Sequence, residues 1–306
     1  MSMEMREVSI DGLERLATSQ NGTVYRLNEE QIVKVFNPQT TSIEKIRREK
    51  EAAKRALIHG IPTAISFDIV TVGDRYGLVY ELLQSKTMGE VIHEQPGRQK
   101  EYAIRMAKLL KKMHTKRFEG GELPDGRLNL HAWADIVEVS GYYPRETVDG
   151  LRSLIDNIPL RDTFVHGDYH PGNILFKDDE FQLIDLGEAA VGHPIIDLLA
   201  TYQIMMVIAD QPDGAMRNMG LSTKQAKKMW NYFIREYLGT EDEKRIQEVE
   251  ETLKFYVLIR GLAGVTFSPM ITDEQVRRGY IKRLNEVFQK SIDHFSKIPV
   301  TSLIDG

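Results

Sequence analysis

The chain has 306 residues, 42% apolar and 28% charged, enough to bury one large core or two smaller ones and too apolar for a disordered segment. Forty basic side chains against forty-five acidic ones give a net charge of −5, without the basic surplus that broad nucleic-acid binding needs. The absence of cysteine excludes disulfides, thiolate nucleophiles and Cys-ligated zinc, and suits a reducing, cytoplasmic compartment.

Residues 1–12 hold acidic side chains and no apolar core, so no signal peptide is expected. Residues 23–27 (TVYRL) and 31–36 (QIVKVF) are β-rich runs around Asn28-Glu-Glu30, which predicts a hairpin. A helix is expected over 42–59, with Gly60 at the stop position and Pro62 blocking continuation. Residues 64–70 and 76–82 flank a second hairpin turn at 72–75 (VGDR), giving the order β-β-α-β-β. Residues 88–93 read as a short helix. Residues 101–118 read as a longer one, with Ile104, Ala107, Leu110 and His114 at helical spacing. A Gly/Pro-rich loop follows at 120–126. Short apolar strands at 164–165, 174–176 and 181–184 enclose a polar loop, and from residue 195 the pattern is helical. The most apolar run, 195–209, contains Asp197 and is too short and polar to span a bilayer, so no membrane association is expected. The change of texture at 83–88 divides a β-rich part, residues 1–83, from a larger helical part, residues 84–306.

The chemistry concentrates in residues 165–175 (VHGDYHPGNIL) and 181–187 (FQLIDLG). Asp168 and Asn173 lie five apart in a loop, and Asp185 ends the next strand before a glycine. Together they offer hard oxygen donors, which suit Mg²⁺. Asp-x4-Asn followed by Asp-x-Gly is the pattern of kinase-type phosphoryl transfer: the first Asp accepts the attacking hydroxyl's proton, while the Asn and second Asp hold metal on the nucleotide phosphates. Turn capping alone would also place Asp and Asn between strands. Two His, two Gly, a Pro and three metal-type ligands in so short a span argue against that reading. Signatures of a P-loop, a dinucleotide fold, a His-Glu-x2-His zinc site and a serine-hydrolase elbow are missing.

HGDYHPGN with LIDLG resembles the aminoglycoside phosphotransferase and choline kinase-like family, small-molecule kinases with a protein-kinase-like fold. The resemblance implies an α+β, bilobal architecture, with a small β-rich N-lobe covering the nucleotide and a helical C-lobe carrying the catalytic loop, metal site and acceptor-binding region. Lys34 matches the strand lysine on the α/β-phosphates, and its carboxylate partner is expected from the following helix, with Glu49 chosen over Glu44 and Glu51. Residues 18–24 stand where the phosphate-covering loop belongs; only Gly22-Thr-Val24 keeps the glycine-rich pattern, so backbone N–H groups and the Ser19 and Thr23 hydroxyls are expected to replace missing glycines. The Glu81 carbonyl and Leu83 N–H match the adenine-binding hinge. His166 is expected to hold the catalytic loop. His170, where protein kinases carry a lysine, either touches phosphate or braces the loop, and Asp197 supports it. The implied cofactors are Mg²⁺ and ATP or GTP, and the implied partner is a small hydroxylated acceptor.

Twelve positions separate Asp185 from Asp197, with no Ala-Pro-Glu, and the loop reads His-Gly-Asp rather than His-Arg-Asp. The segment for a regulatory phosphosite and the arginine that would pair with it are both missing, so a small-molecule hydroxyl is favoured over a protein acceptor. An atypical protein kinase, a pseudokinase or a nucleotide-binding regulatory module stay open beside it, the degraded glycine loop favouring the last two. The acceptor pocket is expected from residues 222–238, 241–261 and 273–297. There Glu241-Asp-Glu243 and Glu248-x-Glu250-Glu251, with Tyr202, Trp230, Tyr232 and Tyr256, read either as attracting a cationic acceptor or as solvated helix face and core.

Overall fold

The computed structural model describes residues 5–19, 21–118, 121–268, 271–298 and 304. Strands β1 (Arg15–Ser19), β2 (Gly22–Arg26) and β3 (Gln31–Phe36) precede helix α1 (Ile43–Ile58), then β4 (Ser66–Val72), β5 (Arg75–Glu81), β6 (Lys86–Thr87) and α2 (Met88–Glu94). Helices α3 (Gln99–Met113), α4 (Arg127–Ser140) and α5 (Arg145–Asp156) lead to β7 (Phe164–Val165), β8 (Ile174–Lys177), β9 (Glu180–Leu183) and β10 (Ala190–Val191). The rest is α6 (Ile195–Tyr202), α7 (Gly214–Met219), α8 (Thr223–Leu238), α9 (Glu243–Tyr256), α10 (Leu258–Phe267) and α11 (Glu274–Phe295).

The chain forms two compact units, residues 1–91 with 171–189, and residues 92–170 with 190–306. The return of 171–189 has a physical cause: β8 pairs with both β6 and β9, and Thr63 donates to the Leu183 carbonyl at 3.0 Å.

In the first unit an antiparallel sheet runs in the order β1-β2-β3-β5-β4. Alternation along β3 divides its side chains between two faces. Val33 and Val35 join Val70, Val72 and Val79 on one face, while Lys34 and Phe36 face the other, where Phe36 packs with Ile46 of α1 and Leu78. Helix α1 starts at Ser42, whose hydroxyl accepts from the Lys45 N–H. Its buried stripe is Ile46, Glu49, Ala52, Ala53 and Ala56, four apolar positions and one carboxylate. The strand β1, exposed along its length and without an alternating pattern, stands outside the expected order.

The second unit is mostly helical, and two boundaries differ from expectation. Helix α3 stops at Met113 rather than 118, because Phe118 N–H donates to the Asp162 carbonyl and Phe164 N–H to that of Lys116, drawing 116–118 alongside 162–164. The segment 241–261 is split between α9 and α10 by a tight turn at Val257, with neither Gly nor Pro to signal it. Helix α8 is set by a capping box in which Ser222 and Gln225 satisfy each other's backbone N–H groups. Among the described residues no helix is long and apolar enough to cross a membrane.

Candidate active site

The face of β3 that carries Lys34 meets the buried stripe of α1 at Glu49. Lys34 Nζ lies 2.8 Å from Glu49 Oε1 and 2.9 Å from Asp185 Oδ1, and Tyr80 donates its hydroxyl to the same Glu49 oxygen at 2.6 Å. The other candidates on the helix are used elsewhere: Glu51 pairs with Arg55, and Glu44 sits exposed in the first turn. Burial alone would lower the Lys34 pKa, but Glu49 and Asp185 reverse that and hold its ammonium above the ordinary value. Burial, reinforced by the Glu49 carboxylate, pushes the Tyr80 phenol well up.

Asp185 reaches this cluster through local geometry. It leaves β9 with φ 60° and ψ 62°, a left-handed conformation that turns the chain into a single 3-10 turn at Leu186–Glu188. A Cβ at Gly187 would lie 3.1 Å from Glu49 Oε2, so glycine lets the turn approach the carboxylate. Ile184 N–H donates to the Asn173 carbonyl at 3.1 Å, which draws Asn173 beside the end of β9. The first unit thus brings together Lys34, Glu49, Asp185 and Asn173, and adds Tyr80, which the sequence pattern does not single out.

Of the expected nucleotide-covering residues, Ser19, Gly22 and Thr23 lie at the β1–β2 hairpin, and Gln20 of that segment lies outside the described residues. Ser19 Oγ donates to the Gly22 carbonyl at 3.4 Å. Gly22 has a packing reason of its own, since a Cβ there would fall 2.3 Å from the Val35 carbonyl oxygen. Glu81 exchanges bonds with Ile65, its carboxylate accepting the Ile65 N–H at 2.8 Å, and Leu83 accepts from the Ser85 hydroxyl at 3.2 Å.

The second unit holds the loop 166–170. Asp197, fully buried in the first turn of α6, accepts from the backbone N–H groups of His166 at 2.9 Å and Gly167 at 2.7 Å. His114 Nε2 lies 3.0 Å from the same carboxylate, with Tyr237 hydroxyl 2.8 Å from Nδ1. Thr201 donates to the Tyr169 carbonyl at 2.6 Å, and Tyr169 donates to the Met106 carbonyl at 2.8 Å. Gly167, at φ 80°, makes the bend possible.

Asp168 stands on this frame with 28% of its side chain exposed, Oδ2 3.5 Å from His170 Nε2 and Oδ1 3.8 Å from Arg260 Nη2. Burial opposes its ionisation, but His170, with Arg260 and His166, outweighs burial and holds the carboxyl well below its usual range. Arg260, whose guanidinium lies 5.3 Å over the Trp133 ring, is the residue that the sequence patterns leave out here. Its one signal is that it is a lone cation inside the apolar run 255–265. His114 shows in the sequence only as one member of an apolar stripe.

The model of the phosphotransferase enzyme family matches residues 12–226. The chain belongs to the phosphotransferase enzyme family. It is a phosphotransferase of the kinase type. Among solved structures, the ADP-bound aminoglycoside phosphotransferase APH(2'')-Ib is 16% identical with a TM-score of 0.59, covering 94% of this chain and 95% of its own. A choline/ethanolamine kinase family protein from Mesorhizobium loti is 18% identical with a TM-score of 0.54, covering 97% and 94%. The amicoumacin kinase hAmiN, solved with AMP-PNP, Ca²⁺ and amicoumacin, is 13% identical with a TM-score of 0.60, covering 94% and 90%. At these identities the likeness is one of fold, and it gives this phosphotransferase the protein-kinase-like α+β fold. No curated protein matches the chain by sequence.

Proposed function

We propose that this phosphotransferase moves the γ-phosphoryl group of ATP or GTP to a hydroxyl of a small molecule. Residues 1–83 would cover the nucleotide, and residues 84–306 would carry the catalytic loop and the acceptor. The observation that carries the reading is Lys34 bound at once to Glu49 and Asp185. A semi-buried lysine fixed between two carboxylates is an ammonium of set position, suited to the α- and β-phosphate oxygens. Ser19, Gly22 and Thr23 at the hairpin, with the Glu81 carbonyl and Leu83 N–H at the strand end, are assigned to the phosphates and the purine edge.

The donor set suits Mg²⁺. Asp185, 39% exposed, and the half-buried Asn173 offer oxygen ligands, while among the described residues no group of three or more His, Asp or Glu side chains converges to hold a metal by itself. That fits an ion that keeps several waters and is bound through one or two carboxylates plus substrate phosphates. Bound there, Mg²⁺ would neutralise charge on the β- and γ-phosphate oxygens. The neighbours solved with ADP and with AMP-PNP and Ca²⁺ support a nucleotide donor for this chain.

Asp168 is assigned as the base. It accepts the acceptor's hydroxyl proton as the bond to phosphorus forms and orients the oxygen in line. His166 and Asp197 hold the loop, and His170 holds Asp168. The test is transfer of labelled γ-phosphate from ATP and GTP to a panel of amino alcohols, sugars and antibiotics. Transfer to at least one of them, lost in Asp168→Asn with nucleotide affinity kept, is expected; hydrolysis or transfer at the wild-type rate in that variant removes the assignment.

A further inference from the structure

Behind Arg260 the second unit contains a cavity of about 950 Å³, within the size range of small-molecule sites. Its walls come from α9, α10, α11 and the π-helical turn Gln203–Val207 that follows α6. Val207, Ile208, Leu258, Val265, Leu284 and Phe295 give it an apolar surface. Three charged residues reach the wall, one acidic (Glu251) and two basic (Lys254 and Arg260), and Arg260 is paired with Asp168 at 3.8 Å, so the wall carries no acidic excess.

Gly261 and Gly264 of α10 also line it. Glycine weakens a helix interior relative to alanine, so two on one face of a ten-residue helix ask for a reason. Neither has a positive φ, and a Cβ built on either meets no atom within 4 Å. The fold therefore does not require them. Their consequence is open volume beside Arg260.

Glu251 lines this cavity, but the other acidic and aromatic groups that suggested a cationic acceptor are engaged elsewhere. Glu241 and Glu243 both bind Arg235, at 3.0 and 2.6 Å, and Glu250 accepts from Trp230 Nε1 at 2.7 Å. Tyr202, Trp230 and Tyr256 are core, and Tyr232 already faces the ammonium groups of Lys100 and Lys228. A polycation entering the cavity would leave water for a largely apolar wall with no acidic excess to offset the loss, which is costly.

We propose that this cavity receives the acceptor, and that the acceptor is an alcohol with an apolar body carrying no charge or one negative charge, not a polycationic amine. The assignment rests on the phosphotransferase reading above. The apolar body fills the space over Gly261 and Gly264. Arg260, 3.8 Å from Asp168, orients the hydroxyl end towards that carboxylate.

The test is calorimetric titration of the wild-type protein and Gly264→Leu with octyl β-glucoside below its micelle concentration, and with kanamycin A and choline. The glucoside is expected to bind the wild type, to outbind both cations, and to lose at least tenfold in affinity to Gly264→Leu, whose melting temperature is no lower than the wild type's. Tighter binding of kanamycin A or choline, or an unchanged glucoside affinity in Gly264→Leu, overturns the proposal. Should Gly264→Leu fail to fold, Gly261→Leu fills the same space and is read the same way. Failure of the phosphotransferase reading looks different: neither ATP nor GTP binds a protein that still takes the glucoside through this cavity, which removes the acceptor role while leaving the cavity's preference measured.

Discussion

Replacing Lys34 by methionine tests the first unit most directly. Methionine keeps the length and apolar stem but removes the ammonium that Glu49 and Asp185 share. Glu49 is 6% exposed at its side chain and cannot recover water, and stripping one partner from a buried ion pair costs about 3–5 kcal/mol. The Tyr80 hydroxyl still donates to Glu49, retaining about 1.5 kcal/mol of that. Asp185 is 39% exposed and loses little. The expected destabilisation is about 1.5–3.5 kcal/mol, equivalent to a roughly 10- to 400-fold loss at 1.36 kcal/mol per tenfold. Both tryptophans, Trp133 and Trp230, lie in the second unit, so the effect should be read as hydrogen-exchange protection of β3 and β5 amides. Adding Glu49→Gln should restore most of the loss, since an amide oxygen still accepts from Tyr80 without a buried charge. The pH dependence has a definite sign. Glu49 is held above its ordinary 4.5 by burial, and more so without Lys34, so the deficit is present at neutral pH and shrinks as pH falls towards that value. The raised Lys34 contributes fully below 10.5 and is lost as pH rises through its folded value. Protection within threefold of wild type in Lys34→Met, or no recovery in the double variant, would refute the reasoning.

Asp168→Asn should lower turnover by about 10²–10⁴-fold, with the nucleotide dissociation constant changed less than threefold in titration. Asp185→Ala should bring phosphoryl transfer below about 1% of wild type in a labelled-phosphate assay. Because Lys34 keeps Glu49, the β3 amides in that variant should stay protected, and their exposure would show a structural role instead. Asp197→Ala leaves the buried His166 N–H and the part-buried Gly167 N–H without their acceptor, at most about 1–3 kcal/mol each, and should lower stability by about 1–5 kcal/mol in urea unfolding followed by tryptophan fluorescence. Asp168, held low by His170, Arg260 and His166 against burial, stays ionised down through its ordinary 3.8, so turnover should show no acid limb from it above pH 5; a limb at pH 5–7 that vanishes from the residual activity of Asp168→Asn would contradict this.

Much of the first unit is legible in the sequence because its signals are local. The β2–β3 hairpin follows from Asn28-Glu-Glu30 between β-rich runs, and α1 from Ser42 at one end and Gly60 beyond the other. β1 is not, since a wholly exposed strand shows no alternation. The break at Val257 is not, because neither Gly nor Pro stands there to signal it. Among the candidate residues, Asp168, Asn173 and Asp185 stand out in the sequence as a short pattern of acids, amides and glycines. Arg260 and His114 arrive from 92 residues after and 54 residues before Asp168, too far for any spacing rule to link them to the loop. Alternation on β3 is enough to turn Lys34 towards α1, but choosing Glu49 over its acidic neighbours depends on which helix face is buried.

A carboxylate held below its ordinary range is a weak base, and Asp168 is surrounded so as to be one. This does not weaken its assignment. In a loose phosphoryl-transfer transition state the attacking oxygen keeps its proton until the bond to phosphorus is well formed, when it is far more acidic than a free alcohol. A late proton transfer needs little basicity and close placement. Placement is what the loop supplies: Asp197 fixes the N–H groups on the chain just before Asp168, and Thr201 and Met106 fix Tyr169 just after it. The groups that lower the carboxyl, His170 at 3.5 Å from Oδ2 and Arg260 at 3.8 Å from Oδ1, also set the direction in which its oxygens point. Removing either would make Asp168 a stronger base with a less defined position, and for a reaction governed by alignment the second change outweighs the first.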